Sequence, residues 1–178
     1  MDFGVAQREL ANTHVGGAPG VLVSGLAWFV AGLVWTRLGV AAAFLALFVG
    51  GMLIVPASLA IERLVFHAPT SSRANPLERL GLESTFVLFA GILIGYALLQ
   101  VAPDLAIPAV AIVIGARYFA FRTLYDEPLY WVLGTVVAAI GAFAALRPAA
   151  LPGNLALIVG IVEVAFAALL LARRKRSL

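Results

Sequence analysis

The sequence predicts an all-α membrane domain, a single bundle of six transmembrane helices with the N- and C-termini cytoplasmic. Three observations carry that expectation. Of 178 residues, 63% are hydrophobic and only 12% charged, whereas soluble domains run near half apolar and a quarter charged. The apolar residues fall in six runs of about the length a helix needs to cross the hydrocarbon core, roughly 20 residues. The positive charges gather on one side of those runs.

The elements follow in chain order. Asp2, Arg8 and Glu9 precede any long apolar run, so no cleaved leader is expected. Phe3, Ala6 and Leu10 fall at helical spacing and suit a short interfacial helix. The first spanning run covers residues 19–35, followed by a tight turn at Thr36-Arg37-Leu38-Gly39. The second covers 40–61, with Pro56 near its end as an expected kink. The longest polar stretch, 62–79, follows. Inside it Asn75 can cap a helix, Pro76 suits the first helical position and Glu78 favours the positive helix end, so the third helix is predicted over 76–102. Pro103-Asp104 reads as a sharp stop. The fourth run is 106–124, Asp126-Glu127-Pro128 a loop, and the fifth run 129–146. A loop with Pro148 and Pro152 leads to the sixth run, 154–172, closed by Arg173-Arg174-Lys175-Arg176. Residues 1–178 thus form one membrane domain.

Arg8, Arg63, Arg73, Arg79, Arg122 and the four basic residues at 173–176 fall on the N-terminal side of the bundle, against Arg37 and Arg147 on the other. The positive-inside rule then makes that side cytoplasmic, and the expected location is a cell inner membrane. An odd number of spans would strand the basic tail on the wrong side. Six spans also permit two inverted three-helix halves, although the halves show no echo in sequence.

The absence of cysteine removes disulfides, thiolate metal sites and cysteine nucleophiles. The isoelectric point near 9.8 comes from charges flanking apolar runs, which is not a nucleic-acid footprint. His14 and His67 lie outside the runs, against haem held between membrane helices. No zinc-protease, phosphate-loop or dinucleotide-loop motif is present. An enzyme is therefore not expected, and no catalytic residue, metal ligand or cofactor is assigned.

Small residues allow membrane helices to approach closely. Gly25 and Gly32, Gly91 and Gly95, Gly134, Ala138, Gly141 and Ala145, and Ala156, Gly160, Glu163 and Ala167 each form such a stripe. These faces pack helices within the chain or bind a second copy or another membrane protein; the remaining partner is the lipid bilayer. Trp35, Tyr130 and Trp131 read as interfacial anchors, and mid-helix Trp28 as packing.

Glu163 is the most informative residue. It falls halfway along its run, where a charge costs about 2.5–3.5 kcal/mol on insertion scales, and in a small-residue stripe that points it into the bundle. Arg117 lies roughly 3 Å toward the cytoplasm of the midplane of its own helix at 1.5 Å per residue. It is the natural partner of Glu163, and the two are expected to be neighbours or to share a polar network, unless Arg117 snorkels to the cytoplasmic face. The pair either fixes helix register or forms a site in which Glu163 binds a proton, cation or solute and Arg117 tunes it or holds an anion. Tyr118, Arg122 and Tyr125 recur at i, i+4 and i+7. With Asp126, Tyr130 and Trp131 they form either a vestibule for a solute or lipid headgroup, or an interfacial belt. Glu62-Arg63 and Glu78-Arg79-Glu83 read as solvated or headgroup-facing charges. Ser24, Ser58, Ser84, Thr85, Gln100 and Thr135 either line a path or satisfy their own helix backbones.

The stretch Gly115-Ala116-Arg117-Tyr118-Phe119-Ala120-Phe121, with Leu124-Tyr125, Tyr130-Trp131-Val132-Leu133-Gly134 and Asn75-Pro76-Leu77, resembles a family of uncharacterised small bacterial membrane proteins. The resemblance covers roughly the second and third quarters of the chain and implies a membrane location without an activity. Two function classes follow: a small transporter or channel with a midplane site at Glu163 and Arg117, or a non-transporting scaffold or regulatory subunit whose polar pair is structural.

Overall fold

A computed structural model describes residues 2–70, 75–147 and 154–177, and every regular element among them is helical. The elements are α1 (Phe3–Thr13), a 3-10 turn at Val15–Gly17, α2 (Ala18–Leu64), α3 (Leu77–Val101), α4 (Pro103–Tyr125), α5 (Leu129–Leu146) and α6 (Leu155–Ser177). Among the described residues five helical units are long and apolar enough to cross a membrane, the first being Val15–Leu64, of 50 residues. Arg73, Pro148 and Pro152 lie outside the described residues.

The two runs expected at 19–35 and 40–61 are the arms of α2. The turn expected over four residues is a break at one, Gly39, with φ 84 and ψ 179, a conformation open essentially to glycine. The break reverses the chain. A Cβ on Gly50 would lie 2.7 Å from that of Ala27, whereas a straight helix would hold these residues about 35 Å apart. Pro56 lies within the second arm without ending it.

Pro103 and Asp104, expected to stop a helix, instead open α4. Proline fits a first turn because its missing N–H would have had no partner there, and the N-terminal dipole favours Asp104. Ala102 alone, at φ −153 and ψ 72, makes the corner. The basic run at 173–176 does not close α6 but continues it, at the helix end where cations are favoured.

Two asparagines tie helix starts to their neighbours. Asn75 Oδ1 accepts the Leu77 N–H at 3.0 Å, while its amide donates to the Ala6 carbonyl at 3.0 Å and to Glu9 at 3.2 Å. Asn154 Oδ1 accepts the Ala156 N–H at 2.9 Å and its amide donates to the Gly32 carbonyl at 2.9 Å.

The small-residue stripes are contact faces within the chain. Gly25 and Gly160 bring α6 against the first arm of α2, where a Cβ on Gly160 would meet the Phe29 nitrogen at 2.7 Å. Gly91 lets α3 seat Val113 of α4, and between α5 and α4 a Cβ on Gly134 would lie 2.7 Å from the Gly115 carbonyl. Trp28 is fully buried in the resulting core. The outer faces stay apolar: Leu93 is 68% exposed, in company with Leu45, Met52 and Phe86, which is a surface suited to lipid and not to water.

Helix α1 forms as the spacing of its apolar residues predicts. Ala6 and Leu10 pack with Leu77 and Leu124, while Phe3 remains exposed. Gln7 donates to the Thr123 carbonyl at 2.7 Å and Arg174 to the Ala11 carbonyl at 2.5 Å. The start of α3 and the ends of α4 and α6 therefore gather at the end of the bundle that α1 covers.

The link from α1 to α2 depends on glycine. Gly17 has φ +77, and a Cβ there would run into the Tyr130 hydroxyl and lie 2.6 Å from the Tyr125 ring. Gly17→Ala is expected to destabilise the protein by about 1–3 kcal/mol through strain and displaced rings. Gly20→Ala, where nothing lies within 4 Å, is expected to be silent. Thermal melting of both variants in detergent checks this.

Candidate functional site

A cleft of about 190 Å³ enters from the end of the bundle covered by α1, between α4 and the arms of α2. Ser24, Ser58, Glu62, Arg117, Tyr118 and Tyr125 supply its polar lining, with His14 at the mouth. Its inner end is apolar, formed by Ile54, Leu88 and Ile114.

Arg117 is held from α3. Its Nε donates to Ser84 Oγ at 3.2 Å and an Nη to Thr85 Oγ1 at 3.3 Å. Both hydroxyls give their own protons to the Gly81 carbonyl, at 2.7 and 3.1 Å, which leaves their lone pairs for the guanidinium. The guanidinium also lies over the Phe121 ring, 5.1 Å from its centroid.

Glu163 is completely buried. Its Oε1 accepts the Tyr118 hydroxyl at 2.8 Å, and Ser24 stands beside the same pair. Its other oxygen, Oε2, is buried without a hydrogen-bond partner among the described residues. A buried polar atom left in that state is costly and calls for an explanation.

The expected pairing of Glu163 with Arg117 is therefore replaced. Tyr118 carries the bond because consecutive helical residues point about 100° apart: Tyr118 faces α6 while Arg117 faces α3. Helix α4 does touch α6, so the contact that the pairing required exists, but through the neighbouring side chain.

Tyr118 and Tyr125 lie in the cleft with Phe121, and Tyr130 stacks behind them; the Tyr118 and Tyr130 centroids are 6.1 Å apart. Arg122 leaves this group and donates to Asp126 at 2.6 Å, an exposed pair of little energetic weight. Tyr130, expected as an interfacial anchor, is instead fully buried, and its hydroxyl donates to the Gly16 carbonyl at 2.6 Å. The connection from α1 covers it, which no local pattern announces. Trp131, by contrast, is 60% exposed.

Glu62 also departs from expectation. It is not a solvated charge but is only 3% exposed, with Oε2 3.2 Å from His14 Nδ1. The spacing of Ser58 and Glu62 puts both on one helical face and was the available signal. The partner His14 comes from the far side of a turn, so the pairing itself had none. Among the described residues no group of His, Asp and Glu is arranged to hold a metal.

Residues 3–173 match one protein family along their whole length. The chain belongs to DUF7010, a family of unknown function. No curated protein and no solved structure matches it. In this DUF7010 chain the residues able to do chemistry thus form two layers. Arg117, Glu62 and His14 face the cleft, and Glu163 lies behind Tyr118 and Ser24. The first layer can bind a polar or charged group; the second can take up or release a proton with Tyr118 as its hydrogen-bonded neighbour.

Proposed function

We propose that this DUF7010 chain is a six-span inner-membrane protein with cytoplasmic termini, and that it transports a polar or charged solute through the cleft. The two arms of α2, counted separately, supply the sixth span. Arg8, Arg79, Arg122, Arg173 and Arg174 belong to the end carrying α1, with Arg37 and Arg147 at the other, and the positive-inside rule puts the first group in the cytoplasm.

The observation that carries the reading is a polar cleft that leads inward from that end and narrows at apolar Ile54, Leu88 and Ile114 into a neck of about 30 Å³ beside Trp28. A site reached from one end and constricted beyond its polar lining is the geometry expected of one state of an alternating-access cycle. Ionisable side chains inside a membrane domain are expensive to keep and mark solute or proton pathways. Glu163, at the floor behind Tyr118, is the proton-binding group in this scheme.

The test is labelling of Glu163 by a hydrophobic carbodiimide across a pH series, read by mass spectrometry with Glu163→Gln as control. Labelling that rises as pH falls is the expected result, and proteoliposome flux lost in Glu163→Gln completes it. One observation favours the scaffold reading: Glu163 is sealed among closely packed helices. Labelling that stays absent until Tyr118→Phe opens the site, together with no flux, would make the acid a structural one and replace transport by that reading.

A further inference from the structure

Resting on the transport reading, we infer that the cleft takes an anionic amphiphile, its acidic head on Arg117 and its hydrocarbon chain along the groove between α3 and the second arm of α2. The head site follows from how Arg117 is held. A guanidinium presents five N–H donors in a fork that matches a carboxylate or phosphate. Two contacts go to Ser84 and Thr85, which position the group without neutralising it. No carboxylate among the described residues forms an ion pair with it. Glu62, the acid that shares the cleft, is held by His14 at the mouth.

The chain site follows from what adjoins the cleft. Ser24, Ile54, Leu88 and Ile114 are common to the cleft and a narrow neck of about 30 Å³. That neck in turn shares Phe44, Phe48 and Ile92 with an apolar groove of about 570 Å³. The groove extends to Gln100, so from Leu88 the three cavities follow α3 for about 18 Å at 1.5 Å per residue. One end is cationic and hydroxyl-lined. The rest is hydrocarbon, and its exposed residues Leu45, Phe89 and Leu93 belong to the face suited to lipid. A small inorganic anion accounts for the head site alone; an acyl chain with an acidic head accounts for both.

Trp28 borders the neck and reports on the chain. In a Trp35→Phe, Trp131→Phe background, full-length protein in neutral detergent is titrated with a bromine-labelled octadecanoate. Saturable quenching of Trp28 is expected. It should be at least tenfold weaker with the bromine-labelled alcohol of equal length and with Arg117→Gln, whose folding is verified by thermal melting. Ile92→Phe, which fills the neck and leaves Arg117 in place, should shorten the longest chain that binds, and keeps the test informative if Arg117→Gln unfolds. Equal quenching by the alcohol, or an unchanged Arg117→Gln, would overturn the assignment. Acetate competing at the same concentration would replace it by a small-anion site. Amphiphile binding without flux would support this assignment while removing transport; flux of small ions without amphiphile binding would do the reverse.

Discussion

Gly115→Val is expected to keep the bundle from assembling. A Cβ at residue 115 would overlap the backbone nitrogen of Ala138 and lie 2.8 Å from its Cα. These are main-chain atoms, so no rotamer change relieves the overlap. The helices cannot simply rotate either, because Gly134 seats against the Gly115 carbonyl one turn away. Overpacking a core costs about 1–3 kcal/mol when side chains can move. Here two helix backbones must separate along the most extensive packing in the fold, so a loss of about 3 kcal/mol or more is expected. That is on the order of a 100-fold change in the folding equilibrium, at 1.4 kcal/mol per factor of ten. Unfolding in mixed micelles measures it, with Gly51→Ala, where nothing lies within 4 Å, as the silent control. A Gly115→Val protein as stable as the parent would show that α4 and α5 do not pack in this way.

The second large effect is a reversal of sign at the buried acid. Tyr118→Phe removes the hydroxyl that Glu163 Oε1 accepts, leaving a carboxyl whose Oε2 already has no partner among the described residues. An unsatisfied buried group costs about 1–3 kcal/mol, tempered in membranes because the unfolded helices also find partners. Glu163→Leu alone orphans the tyrosine hydroxyl and is expected to cost about as much. The double variant Tyr118→Phe, Glu163→Leu leaves neither group unpaired. It is expected to return to the parent stability or exceed it, as when buried polar pairs are replaced by apolar groups, with a coupling of about 1–2 kcal/mol. A double-mutant cycle of unfolding energies measures this, and additive losses would mean that the bond contributes nothing. The same variant separates the two function classes. Stable but without flux, it points to transport; stable and still bound to a membrane partner, it points to a scaffold.

Much of this was legible in the chain itself. The helices at 76–102 and 129–146 were bounded within a residue of α3 and α5, because Asn75-Pro76 and Pro128 are local stop and start chemistry. Pro103 misled because the same ring that ends one helix is suited to begin the next, and the corner needed only Ala102. The small-residue stripes announced contact faces, but not which helices would meet. Glu163 was recognisable as a buried acid from its place in a stripe. Its partner is Tyr118 and not Arg117, because depth in the membrane can be counted along a helix, whereas the direction of a side chain depends on which neighbour that helix faces.

The sequence by itself determined the solvent, the helices, the side on which positive charge gathers and the presence of a costly acid and base among apolar residues. Those properties are sums over short windows: hydropathy, capping residues and charge. Only the tertiary structure decided that Arg117 is held by Ser84 and Thr85, that Glu163 meets Tyr118, and that Glu62 is buried on His14. Each of those contacts joins residues 32 to 48 positions apart, and such pairings follow from how the helices pack around one another, which no local window contains.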